Sequence, residues 1–337
     1  MIKLPNGRTD DQVLTEEIAP ALRQRDDIPF VIHLGDLSRP EYACTDDWLR
    51  RTQTFWNDQL VKPVFYTPGD NDWADCDRKS LAERHSELKR LERLRAILFA
   101  SAKTVSPAWQ LQEVRTILAR TPRPSHPEPT LQAIRSVLAM GPSEFAKEWH
   151  YITQPDFPEN AIWWRSGVLF VTIHMISTNN GFTEILLDNP KTAVALAKKR
   201  DRLNQLWLDQ AYALAQQPHT KALVVSTQLD PFGPAIKQES PLSRCLSNPA
   251  YATFCRQIQT LSQRLAKPVL LLHGDTNAYC LDQPFDHTSN LWRLNAPGDF
   301  KVVDASLIKV VPSDPTQPFQ VTGLLSGQAP PAVCDYT

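Results

Sequence analysis

The sequence predicts an α/β layered fold. Short, near-continuous apolar runs read as strands buried on both faces, and amphipathic helical patterns lie between most of them. A third observation ties the fold to chemistry. Three of the runs close in Gly-Asp turns, and loops at the carboxyl ends of strands in an α/β sheet form its ligand crevice.

In chain order, the carboxylates Asp10, Asp11, Glu16, Glu17, Asp26 and Asp27 lie on or beside a helix that precedes the first run. That run, Pro29 to Leu34, ends in Gly35-Asp36. The second, Pro63 to Tyr66, leads into Pro68-Gly69-Asp70-Asn71-Asp72. Ser80 to Phe99 reads as a helix with Leu81, Leu88, Leu91, Leu94 and Leu98 among many charges of both signs, hence a solvated face. Residues 100–158 read as a helical insertion, two similar segments around the stiff connector Thr121 to Pro129. Strands follow at Val168 to Ile173 and Ala222 to Ser226, with an amphipathic helix over Thr192 to Gln217 between them. A fifth run, Pro268 to His273, ends in Gly274-Asp275-Thr276-Asn277. The tail reads as a β meander over Leu291 to Leu294, Leu307 to Val311 and Phe319 to Leu324.

The chain has 337 residues, enough for a sizeable core in one domain. Its 36 basic against 37 acidic side chains leave no overall basic field for nucleic acid or an anionic membrane. No apolar run approaches the roughly 20 residues that span a bilayer, and residues 1–7 lack a signal-peptide stretch. None of the six cysteines forms a CxxC pair, which argues against a zinc ribbon. Cys44 and Cys76 each follow a Gly-Asp motif, so convergence of those motifs would let the two sulfurs pair. The alternative is two buried thiols.

One Gly-Asp is ordinary turn chemistry. Three at matching strand ends gather carboxylate, amide and imidazole donors, a mixed set suited to Mn, Fe or Zn. Asp36 is the leading ligand, its alternative being a helix cap.

The order Gly35-Asp36, then Pro68-Gly69-Asp70-Asn71-Asp72-Trp73-Ala74-Asp75-Cys76, then His273-Gly274-Asp275-Thr276 resembles the calcineurin-like metallophosphoesterases. More narrowly, it resembles a bacterial branch whose motifs read Gly-Asp-Asn-Glu-Trp-Thr-Asp-Cys and His-Gly-Asp-Thr-His. The loop Ser177-Thr178-Asn179-Asn180 and the segment Ser226 to Pro231 fall in the same order, and the likeness spans roughly residues 28 to 325. It implies a two-sheet β-sandwich flanked by helices, with two divalent metals (Mn, Fe or Zn) at the strand ends. Asp36 matches the bridging aspartate and Asp70 the asparagine of the usual Gly-Asn-His motif. Asn71 falls where that motif has histidine, and Gln228 where a ligating histidine often sits. Asp275 and Asn277 replace the two histidines of Gly-His-x-His, and His273 is the imidazole available to compensate. The implied metal set is thus Asp36, Asp70, Asn71, Gln228, His273, Asp275 and Asn277, with Asn71 and His273 as candidate catalytic residues. Asn179 and Asn180 are candidate donors to a small phosphorylated substrate, their alternative being a loop turn.

The family's first strand, with its Asp-x-His motif, has no counterpart before Asp36. An upstream start would restore it and could add an export signal, so localisation stays open. The reaction implied is phosphoester hydrolysis by hydroxide held on two metals. The alternative is a catalytically degenerate or truncated member that binds a phosphorylated ligand or partner without turnover. Trp73, directly after the Gly-Asp-Asn-Asp turn, is either a pocket wall or packing.

Overall fold

The computed structural model describes residues 7–99, 151–154, 156–233, 240–298 and 302–336. Its strands are β1 (Val31–His33), β2 (Val64–Tyr66), β3 (Tyr151–Gln154), β4 (Phe157–Arg165), β5 (Val168–Thr172), β6 (Ala222–Ser226), β7 (Val269–His273), β8 (Cys280–Asp282), β9 (Leu291–Asn295), β10 (Ser306–Val310) and β11 (Phe319–Gly323). Seven of them form one mixed sheet in the order β3-β4-β5-β6-β7-β9-β8. Its centre, β5-β6-β7-β9, is parallel, and β3, β4 and β8 are added antiparallel. Two smaller pairs stand apart from it, the parallel β1·β2 and the antiparallel β10·β11. The fold is therefore mixed α/β around a large mixed sheet.

Side-chain alternation divides the central strands between two cores. Val171, Leu223, Val225 and Leu271 face a cluster completed by the helices Pro190–Ala215 and Ala252–Arg264, through Trp207, Leu208, Phe254 and Ile258. Phe170, Val224, Leu270 and Leu272 face the opposite way, into a cluster with Phe65 of β2 and with Phe319 and Val321 of β11. Trp163 and Trp164, adjacent on β4, fall one into each cluster. Phe65 stacks on Trp163 at 3.7 Å between ring centroids, and Phe30 meets Phe65, Trp163 and Phe170 edge-on. Each such large apolar side chain stabilises the fold by about 1.5–3 kcal/mol.

The helices start where their caps dictate. Thr45, Ser86 and Asn189 accept the backbone N–H groups of Trp48, Lys89 and Thr192, and Pro190 occupies a first-turn position where no N–H is needed. Among the described residues no helix is long and apolar enough to cross a membrane.

Several expectations need correction. The expected insertion over 100–158 lies outside the described residues up to 150, but Tyr151–Gln154 and the start of β4 are strand rather than helix. β4 was concealed by Pro158-Glu159-Asn160, a polar stretch that burial in a hydrogen-bonded network makes compatible with a central strand. The helix expected over Ser80 to Phe99 begins only at Glu87, after the Ser86 cap, and runs on through a wider-wound turn, Arg95–Phe99. Its charged face is not fully solvated, because Glu87 and Arg90 are buried and Arg90 pairs with Asp46 at 2.7 Å. The tail is not one meander: Leu291–Asn295 pairs in parallel with β7, while β10 and β11 pair with each other in a separate antiparallel sheet. Cys44 and Cys76 pair, and Cys245–Cys255 and Cys280–Cys334 are also disulfides.

Candidate metal centre

The parallel pair β1·β2 brings the first two Gly-Asp turns side by side. Gly35 adopts φ +83°, and a Cβ there would sit 2.3 Å from the Gly69 nitrogen. A Cβ on Gly69 would in turn lie 2.1 Å from Asp36 Oδ1. Both glycines are required by this close approach of two turns. Asp36 and Asp275 are themselves left-handed, at φ 52° and 73°, which aspartate tolerates better than most residues.

Asp72 locks the two turns together. Its buried carboxylate accepts from Asp36 N–H (3.0 Å), Leu37 N–H (2.8 Å), Gly69 N–H (2.8 Å) and the Tyr66 hydroxyl (2.6 Å). Burial outweighs those donors and lifts its pKa to about 6. The Cys44–Cys76 disulfide lies over the same turn, with its sulfurs 3.7 and 3.9 Å from the Asn71 carbonyl oxygen.

At this locked corner the carboxylates of Asp36, Asp70 and Asp275 converge, with oxygens all within 4.8 Å of one another. Gln228, on the loop after β6, reaches into the middle. Its Nε2 lies 3.0 Å from Asp36 Oδ2, 3.2 Å from Asp70 Oδ1 and 3.0 Å from Asp275 Oδ1. Two amide hydrogens thus serve three carboxyl acceptors. The Gln228 Oε1 is held from behind by the Ser177 N–H at 3.0 Å. Asn71 joins through its backbone N–H, 3.3 Å from Asp36 Oδ1 and 3.0 Å from Asp70 Oδ1.

Crowding of carboxyl groups opposes ionisation at Asp36 and Asp275. Burial first, then Asp70, Asp72 and Asp275, hold Asp36 well above the ordinary carboxylate range. Burial of the carboxyl group and the neighbouring Asp70 push Asp275 up to about 8, although that residue as a whole is exposed. Asp75, raised to about 7 by burial and Asp70, pairs with Arg78 at 2.6 Å.

Other expected site residues stand elsewhere. His273 shares strand parity with Val269 and Leu271 and points into the helix-covered core. Its Nδ1 is 3.8 Å from Asp230 Oδ1, its ring faces Phe232, and its Nε2 is buried without a hydrogen-bond partner. Asn277 borders the cavity beside the cluster, with Oδ1 2.7 Å from where a Gly298 Cβ would lie. Thr178, Asn179 and Asn180 form three consecutive left-handed residues. Asn180 is fully buried and its Oδ1 receives Arg200 at 3.2 Å, while Asn179 bonds to Thr183 and Asn248. It is Thr178 that reaches the acidic cluster, with Oγ1 2.8 Å from Asp70 Oδ2 and 3.2 Å from Asp75 Oδ1. Trp73 is packed against His174 and under Arg200, which makes it part of the core. His33 is half-buried against Trp56 and Tyr66, and desolvation of its ring lowers its pKa to about 4.

Sequence reasoning gave no role to Thr178 or Asp72. The only signal for Asp72 was its place in the Gly-Asp-Asn-Asp turn. Thr178 gave none, because its position depends on the left-handed turn.

A second acidic group, Cys280, Asp282 and Cys334, offers no comparable site, because its two sulfurs are bonded to each other. Three converging carboxylates around an amide that cannot satisfy them all form a place suited to a cation. Comparison with protein-family models, curated proteins and solved structures gives no match.

Proposed function

We propose that the chain is a metal-dependent phosphoester hydrolase whose metal centre is built on Asp36, Asp70 and Asp275. The convergence of those three carboxylates at adjoining strand ends carries this reading. The Gly-Asp motifs and their order support it, as does the placement of β1·β2 and β10·β11 against one face of the large sheet, consistent with a two-layer sandwich.

The donors fit hard divalent ions. With His273 turned into the core, the near donors are oxygens, which among Mn, Fe and Zn favours Mn. We assign Asp36, Asp70 and Asp275 as ligands, with Asn71 and Asn277 at the margin and two ions as the full complement. Two ions held by these residues would supply charge stabilisation for a displacement at phosphorus and would lower the pKa of water. The chain's own contribution is positional. Asp72 fixes the turns that carry Asp36 and Asp70, and Gln228 spaces the three carboxylates. Thr178 orients Asp70. Metal binding would replace the Gln228 contacts and relieve the opposed ionisation of the cluster.

The second reading is a centre that binds a phosphorylated ligand without turnover. It is favoured by the burial of His273 in the helix-covered core, which keeps that imidazole from protonating a leaving group at the cluster. Hydrolysis of p-nitrophenyl phosphate and bis-p-nitrophenyl phosphate with Mn2+ separates the two. Turnover abolished by Asp36→Ala supports the hydrolase, and phosphate binding without turnover supports the second reading.

A further inference from the structure

A cation is tied to the acidic cluster through its own side chains. Arg78 directly follows the short helical turn Ala74–Asp77, and its Nη2 lies 2.6 Å from Asp75 Oδ2. The other Asp75 oxygen is 3.2 Å from the Thr178 hydroxyl, whose second contact is Asp70 Oδ2 at 2.8 Å. Two side chains thus join Arg78 to a residue assigned above as a metal ligand.

The ion pair has a buried foot and an open head. The side chain of Asp75 is 2 % exposed and that of Arg78 is 43 % exposed. Among the described residues Asp75 is the partner of this guanidinium, which carries five N–H donors in a planar fork, so donors are left for a ligand. Arg78 and Asp75 line the same cavity as Asp36, Asp70 and Asp275. The backbone fixes the base of the side chain. Arg78 N–H donates to the Asp75 carbonyl at 3.2 Å, the Arg78 carbonyl accepts from Leu81 N–H at 3.1 Å, and Cys76 is bonded to Cys44. Arg51 lines the cavity as well, but its guanidinium stacks on Trp48, 5.2 Å from the ring centroid.

We propose that Arg78 is a specificity-determining residue of this centre, selecting a terminal, doubly charged phosphoryl group over a phosphodiester. The assignment rests on the metal centre proposed above. A guanidinium fork matches two phosphoryl oxygens with parallel N–H bonds. A terminal phosphoryl group has three oxygens outside its ester bond, and a diester has two. Where ions at the carboxylates engage part of that set, the terminal group keeps more of it for Arg78. Its larger negative charge is also drawn more strongly to a fixed cation.

The test is calorimetric titration of the Mn2+-loaded full chain with phenylphosphonate and with its monomethyl ester. At about pH 8 the first is doubly charged and the second singly. The carbon–phosphorus bond and the methoxide leaving group make both poor substrates, so binding is read apart from turnover. The wild type should bind phenylphosphonate at least about tenfold more tightly than the ester. Arg78→Ala should lose most of that preference at unchanged metal content. Asp75→Asn combined with Arg78→Gln leaves no buried charge unpaired and should do the same, whatever the fate of the single variant. Arg51→Ala removes the same charge from the cavity wall and should keep the preference. Equal binding of the two ligands by metal-loaded wild type, a preference kept by the metal-loaded Arg78 variants, or its loss in Arg51→Ala would each overturn the assignment and leave the metal centre standing. A wild type that retains no Mn2+ would contradict the metal centre and the assignment together.

Discussion

Two acidic sites in this molecule have opposite electrostatics. Glu159, fully buried on β4, meets His174 Nδ1 at 2.8 Å and Arg95 Nε at 3.1 Å. Burial alone would raise its pKa, but those partners outweigh it and hold Glu159 down at about 2. Around Asp36 the balance is reversed, because burial and three more carboxylates together push its pKa up. The first site is complete in the chain's own side chains. The second is an acidic cluster that could hold a cation, and that difference separates a structural ion pair from a candidate functional centre.

The largest effect expected from breaking this contrast is at Asp36. Asp36→Ala should abolish metal retention and lower Mn2+-dependent phosphoester hydrolysis by about 10³-fold or more, read by metal analysis and initial rates. Glu159→Gln removes one partner of a buried pair and should cost about 3–5 kcal/mol in denaturant unfolding, with metal uptake retained by the folded fraction. The double change Cys44→Ser with Cys76→Ser opens a loop of 32 residues and should cost about 3–4 kcal/mol.

A pH titration sharpens the contrast. Carboxyls whose folded pKa is raised contribute stability that is full below about 4 and is lost as pH rises through the folded value. Asp75 at about 7 and Asp275 at about 8 therefore predict a metal-free chain that weakens between about pH 4 and 8, a slope that saturating Mn2+ should flatten. Glu159, held low, contributes the opposite sign, with stability that is full above about 4.5 and is lost as pH falls from there through about 2. The smallest effect expected is at Asp275, whose exposure screens it. Asp275→Asn should stabilise the metal-free chain by about 1 kcal/mol at pH 8–9 while weakening metal binding.

Much of this arrangement was legible where local chemistry governs it. The apolar runs at Val64–Tyr66, Val168–Thr172, Ala222–Ser226 and Val269–His273 became buried strands. The Gly-Asp turns at their ends did converge, and Cys44 met Cys76 because those turns adjoin. What stayed hidden depends on tertiary context. Glu159 and Asn160 look like loop residues until His174 and Asn204 are placed against them. The inward direction of His273, into the helix-covered core, was available from strand parity with Leu271, but only once the faces of the sheet were assigned. Thr178 owes its position to a left-handed turn that a β-branched residue rarely adopts.

Metal stoichiometry tests the central claim most directly. The protein is loaded with Mn2+, freed of excess by gel filtration and analysed beside Asp36→Ala. Near two ions per chain, lost in the variant, is the predicted result. No retained metal, or equal retention by the variant, would contradict a centre built on Asp36, Asp70 and Asp275.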